Sequence, residues 1–222
     1  MSNPRPIRVW DLPVRLTHWA MVLCIAGLYA TGEYGWLDMD WHFRLGYATL
    51  ALVLFRLLWG IFGSEHARFA RFVRGPSAIS AYVRSWNRPD YRDSLGHNPL
   101  GALGVIGLLL LTLAQISTGL FASDQISLFG PLAERVTQDT SEYLTDWHHL
   151  GQQFLLILIA IHVLAVALHY LLRKENLVVP MFTGRKQAAQ GEDAKWRPWW
   201  LALLLFAIAA GAVWALSVFG PG

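Results

Sequence analysis

The stretch WHHLGQQFLLILIAIHV, residues 147–163, decides the architecture. After Gln153 come eight apolar residues in a row, Phe154 to Ile161, and then His162. His148 and His162 stand 14 positions apart, nearly four turns at 3.6 residues per turn, so a helix points both rings the same way. At about 1.5 Å per residue the two lie roughly 21 Å apart along the axis, one near each face of a bilayer. His149 lies 13 positions before His162, and its ring points well away from that line. A polar side chain inside a membrane span is costly and marks a functional position. Each imidazole is therefore expected to meet a partner at its own depth.

Working outward, the 222-residue chain is 55% hydrophobic and only 15% charged, with 11 Trp. A soluble domain averages about 25% charged residues. Five stretches reach the roughly 20 residues a helix needs to cross a bilayer: Val14–Thr31, His42–Phe62, Pro99–Phe121, His148–Leu172 and Trp199–Phe219. They are continuous rather than alternating, which excludes a strand barrel. The polar start MSNPRPIRVWDLP does not read as a cleavable signal peptide. Arg5, Arg8 and Arg15, then Arg68, Arg71, Arg74, Arg84, Arg88 and Arg92, then Arg173, Lys174, Arg185, Lys186, Lys195 and Arg197 all fall on one side. The opposite loops carry Arg135 beside Glu33, Asp38, Asp40, Asp124, Glu134, Asp139, Glu142 and Asp146. The positive-inside rule then predicts a cytoplasmic N-terminus and a periplasmic C-terminus. The net charge of +3 reflects this topology and gives no support for nucleic-acid binding.

The single cysteine, Cys24, excludes an internal disulfide, a CxxCH haem attachment and a thiolate cluster. In GPSAISAYVRSW (75–86), Pro76 and Ser77 open a helix whose Ile79, Tyr82, Val83 and Trp86 share a face, an expected interfacial anchor. The acidic segment 123–146 reads as a solvated outer loop and the only sizeable partner surface on that side. Segment 184–198 reads as a flexible linker, and the uncharged span 199–219 as an anchor or packing helix. There is no internal repeat, and the spans form one bundle.

Topology sets the ligand depths. Span four runs from outside to inside, so His148 is outer and His162 inner; span one starts inside, placing His18 near the inner face, and span two starts outside, placing His42 near the outer one. The pairs are His18 with His162 and His42 with His148. Two histidines at equal depth on facing helices suit a planar macrocycle with two axial ligands, and a bis-imidazole haem has no open position for substrate. It carries electrons. Gly46 and Gly151, one turn from His42 and His148, leave room for a flat ring. Arg56, 14 positions after His42, and Arg15 and Arg44, each within a turn of a ligand, either pair with haem propionates or snorkel to headgroups. His169 has two readings, a neighbour of a propionate or quinone head group and a packing residue. His66 is expected in solvent, His97 in a capping or surface role, and His149 as a hydrogen-bonding neighbour of the outer haem.

RLTHW (15–19), HFRLGYATLALVLFRLLWG (42–60), HNPLGAL (97–103) and WHHLGQQFLLILIAIHV together resemble the bacterial dihaem b-type cytochromes. These comprise bacterial cytochrome b561 and the b-type cytochrome subunit of nickel–iron hydrogenase. The resemblance covers roughly residues 8–182 and implies an all-α four-helix membrane bundle binding two haem b groups through His18, His42, His148 and His162. Residues 183–198 would follow as a cytoplasmic linker, and 199–219 as an additional transmembrane helix outside the family core. It further implies a bacterial inner-membrane protein carrying electrons between a periplasmic partner, a c-type cytochrome or hydrogenase-like protein, and quinone. Two other functions are weighed: a superoxide:quinone oxidoreductase, disfavoured by an acidic outer face that repels an anion, and a haem-free anchor or transporter bundle.

Overall fold

In the computed structural model the described residues are 5–86, 88, 94–188 and 190–219. Arg92, counted above among the basic loop residues, lies outside them. The chain runs β1 (Arg5–Arg8), α1 (Leu12–Glu33), α2 (Met39–Phe62), α3 (Phe69–Phe72), α4 (Pro76–Ser85), α5 (Pro99–Gly119), α6 (Gln138–Arg173), α7 (Val178–Thr183), β2 (Arg185–Ala188) and α8 (Trp199–Phe219). Helices α1, α2, α5, α6 and α8 are long and apolar enough to cross a membrane, as expected of a helical membrane bundle. The other elements gather at the end of the bundle that carries the N-terminus, here called the basic end; the opposite end is acidic.

Helix starts follow local chemistry. Asp11, Asp38, Asn98 and Thr137 cap α1, α2, α5 and α6, each accepting a backbone N–H that the helix leaves unpaired. Thr137 moves the start of α6 ten residues ahead of His148, so the second half of the segment read as a solvated loop is helix. Those residues carry α6 about 15 Å past His148. The first half is folded onto it. The Asp124 carboxylate accepts from the N–H groups of Ile126, Ser127 and Leu128, which hold its pKa at about 2. Ser141 donates to the Phe121 carbonyl (2.8 Å), and the Ser123 N–H donates to Thr145 (3.0 Å).

The helices pack as antiparallel pairs, α1 with α2 and α5 with α6, joined through α2 to α5; α8 lies against α2. Lipid is as apolar as leucine, so close van der Waals contact must hold such helices. At Gly27 a Cβ would stand 2.8 Å from Leu45, which shows how closely α1 approaches α2. Phe55 and Trp59 of α2 are buried with Val14 of α1 and Ala202, Leu205 and Ala209 of α8. The fifth span is thus a packing helix on the flank of α2.

The basic end is more ordered than its polar sequence suggests. Segment 184–198 is not a loose linker: β2 pairs antiparallel with β1, and the Ala194 N–H donates to the Arg8 carbonyl (2.9 Å). The Arg8 N–H donates to Asp193 (2.8 Å), and Glu65 accepts from the Lys195 N–H (3.1 Å). A strand whose partner lies 180 positions away leaves no local periodicity to read. In α4, Tyr82 is buried and Trp86 packs on His169, whereas Val83 is 53% exposed, so the expected apolar face divides. His97, expected at the surface, is enclosed by Trp10 and Phe72, with ring centroids 4.6 and 4.4 Å away, while Asn98 takes the cap. Burial pushes the His97 pKa down to about 3, with the positive charge of Arg56 adding to the effect. His66, expected in solvent, is half-buried beneath Gly96.

Asp11 is the fastener of this end. It accepts from the Val14 N–H (3.0 Å) and from the indole N–H of the fully buried Trp59 (2.9 Å), tying the start of α1 to the end of α2. Asp11→Ala loses both a cap and a charge-assisted buried hydrogen bond, and is expected to cost about 2–4 kcal/mol in unfolding of the detergent-solubilised protein. His97 gives a pH signature. Unfolded chains gain a proton at His97 as pH falls through 6.5, but the folded chain resists until about 3. Its contribution to stability is therefore full above 6.5 and declines as pH falls toward 3. The unfolding midpoint should drop between about pH 7.5 and 5, and His97→Phe should reduce that drop.

Candidate cofactor site

The residues singled out on α1, α2 and α6 meet in two places. His18 of α1 faces His162 of α6 with ring centroids 6.5 Å apart. His42 of α2 faces His148 of α6 at 6.3 Å. His149 is exposed and turned aside, 6.4 Å from His148, so the structure brings His148 and not His149 to His42. Helix α6 is continuous between its two histidines, which keeps the phase expected from the 14-residue spacing.

A metal bound by one imidazole on each side can be tested against these distances. Taking roughly 2.0–2.1 Å for each metal–nitrogen bond and about 1.1 Å from nitrogen to ring centre, two bonds in line separate the centres by roughly 6.3 Å. Both pairs fit. Among the described residues no three or more His, Cys, Asp or Glu side chains converge on one point. A bare ion therefore lacks a protein ligand set at these pairs, whereas a metal already held in a macrocycle needs only two axial nitrogens.

At the acidic end both rings are held from behind. The Nδ1–H of His148 donates to the backbone carbonyl of Gln115 on α5 (2.9 Å), and the Gln115 side chain donates to the His148 carbonyl (2.8 Å). Because a carbonyl only accepts, Nδ1 carries the proton and Nε2 is left with a free lone pair. Thr31 gives its proton to the Gly27 carbonyl (2.8 Å), so its oxygen accepts from Nδ1–H of His42 (3.1 Å). Glycines make the approach possible. A Cβ at Gly32 would stand 3.0 Å from the His42 ring, and one at Gly119 would stand 2.7 Å from the His148 ring. Gly151, expected to admit a flat cofactor, instead admits Gln115, whose Oε1 would lie 2.3 Å from a Cβ there. Gly46 faces open space, with no atom within 4 Å of a Cβ. At the basic end His18 Nδ1 is buried without a partner among the described residues.

The remaining candidates divide. Arg15 reaches the Phe182 carbonyl on α7, one turn from His18, and its buried Nε has no partner among the described residues. Arg44 is exposed and lies over the Trp41 ring at 5.3 Å. Arg56, read as a propionate partner or a snorkelling cation, is 5% exposed. It donates to the Ala67 carbonyl (3.2 Å) and stacks over Phe69 (5.1 Å), so it is built into the packed core of the basic end. Charge alone gave no sign of that, because the shell around it comes from α3 and its loop. His169 is buried as a packing residue. Its Nδ1–H donates to Ala165 (2.8 Å), and Nε2 lies 3.3 Å from both Tyr82 and Asn98. Thr31 and Gln115, which hold the His42 and His148 rings, are positions the sequence reading did not single out. Gln115 carried a signal, as the one amide in an uncharged span; Thr31 carried none, since threonine bonds its own helix in many spans.

Comparison with known proteins identifies the family. The family described as prokaryotic cytochrome b561 matches residues 9–184. A protein from Azotobacter chroococcum mcd 1 named probable Ni/Fe-hydrogenase B-type cytochrome subunit is 27% identical, covering 80% of this chain and 87% of its own. Its Escherichia coli K12 counterpart, named probable Ni/Fe-hydrogenase 1 B-type cytochrome subunit, is 23% identical over 83% and 92%. One from Cupriavidus necator is 26% identical over 79% and 85%. No solved structure matches significantly. With a match spanning most of its length and five membrane-crossing helices, the chain belongs to the prokaryotic cytochrome b561 family of multi-pass membrane b-type cytochromes.

Proposed function

We propose that this chain carries electrons across the bacterial inner membrane through two haem b groups, between a redox protein on the periplasmic side and the quinone pool. His18 and His162 would hold the inner haem and His42 and His148 the outer one, within a dihaem unit spanning residues 8–182. Family membership implies haem b and sets aside the haem-free bundle. The observation that carries the reading is the pair of ring separations, 6.5 and 6.3 Å, repeated at both ends of one continuous helix. Bound there, haem would supply reversible one-electron chemistry. The protein's part is to hold the imidazoles in register, exclude water with the surrounding spans, and fix the proton on Nδ1 at the acidic end.

Orientation follows the basic residues, with β1, α4, α7 and β2 on the cytoplasmic side. The acidic end, extended by the protruding start of α6, then faces the periplasm. The relatives' names support a nickel–iron hydrogenase as the partner there, ahead of a c-type cytochrome. An anionic substrate such as superoxide is disfavoured at a face carrying Glu134, Asp139, Glu142 and Asp146.

Two measurements check this. Protein purified from haem-replete cells should give a b-type reduced-minus-oxidised spectrum with two haems per chain, and a colourless preparation overturns the reading. His18→Ala should retain one haem, still reducible by an added donor, while electron delivery to a quinone analogue falls at least about tenfold, as loss of a metal ligand should exceed the 10–100-fold cost of losing its support. Retention of both haems in that variant would show the pairing to be wrong.

A further inference from the structure

The two histidine pairs are supported differently. At the outer pair both rings have their far nitrogen anchored, His148 to the Gln115 carbonyl (2.9 Å) and His42 to Thr31 (3.1 Å). The Gln115 side chain clasps the same turn of α6 through the His148 carbonyl (2.8 Å), in a space that exists because residue 151 is glycine. At the inner pair nothing equivalent occurs among the described residues. Among the described residues His18 Nδ1 is buried without a partner, and the exposed His162 has no hydrogen bond to its ring.

Resting on the two-haem reading above, we infer that Gln115 and Thr31 are positioning residues for the outer pair and make the outer haem the lower in potential of the two. An imidazole whose far N–H is hydrogen-bonded is a more basic metal ligand with a fixed tautomer and orientation. Stronger donation favours ferric over ferrous iron, so anchoring lowers the potential of the site that has it. Charge acts in the same sense. The inner end holds the buried guanidinium of Arg56 beside His97 and the half-buried Arg15 within a turn of His18, and positive charge favours the reduced state. The outer end has acidic residues around the start of α6. Neither anchor lies on α6, so the difference is written into α1 and α5 and not into the ligand helix. The resulting order favours transfer from the periplasmic end toward the cytoplasmic one.

The test is a spectroscopic redox titration of the full-length holoprotein in lipid nanodiscs. Wild type should show two one-electron midpoints, and His18→Ala should leave only the lower. Gln115→Leu keeps the backbone carbonyl that accepts from His148 Nδ1–H and removes only the side-chain clasp on the His148 carbonyl, so it should loosen that turn of α6 and lower retention of the outer haem by about tenfold without moving the higher midpoint. Thr31→Val, which replaces one hydroxyl by a methyl, should raise the lower midpoint with both haems bound, and it decides the matter if Gln115→Leu sheds haem. The inference is overturned if His18→Ala leaves the higher midpoint, or if Thr31→Val leaves both midpoints in place. Fewer than two haems in the wild type would instead remove the two-haem reading, and this inference with it.

Discussion

An imidazole in hydrocarbon has polar nitrogens that lipid does not solvate, and the rest of this molecule is arranged around bringing four such rings together in two facing pairs. The 14-residue phase of α6 fixes where two of the rings stand. Every other span is then constrained in depth. α1 must bring His18 level with His162, and α2 must bring His42 level with His148. The ring separations of 6.5 and 6.3 Å show both conditions met at once. That requires α1 and α2 to be fixed in height relative to each other as well as to α6.

The fixing is done at the basic end and along α2. Asp11 joins the start of α1 to Trp59 near the end of α2, while the glycine contact at Gly27 sets their separation in the second half of α1. The ribbon of β1 and β2 then ties the residues before α1 to those after α7, close behind α6. Helix α8 adds to this from outside: it covers the apolar flank of α2, the most enclosed span. These contacts hold polar groups in register across a membrane in which helices have little hydrophobic reason to stay at one height.

The acidic end solves its own problem through α5. Near a helix end a backbone carbonyl has a lone pair to spare, and Gln115, four residues before the last residue of α5, gives that lone pair to His148. Thr118 donates to the same carbonyl (2.9 Å). A ring held in this way has its proton and its plane settled before any metal arrives. The glycines at 32, 119 and 151 are the steric counterpart, each standing where a methyl group would displace a ring or its anchor.

Much of this was legible in the sequence because it follows from counting along a helix. The five spans, the equal-facing pair His148 and His162, and the choice of His148 over His149 all depend on rise and turn, which are local quantities. The depth match of His18 and His42 also came from counting, once the order of the spans was set. What counting could not reach were contacts between groups distant in the chain. Arg56 looked like a surface or propionate cation until α3 closed over it, and His97 like a surface residue until Trp10 and Phe72 enclosed it. Arg185–Ala188, in the polar tract read as a linker, became a strand because Arg5–Arg8 was there to pair with it. Sequence alone thus determined which side chains lie at which height in the membrane, because helical geometry is the same wherever the helix sits. Only the tertiary structure decided what stands behind each side chain, because a hydrogen bond such as that from His148 to Gln115 depends on how two separate helices are turned toward each other.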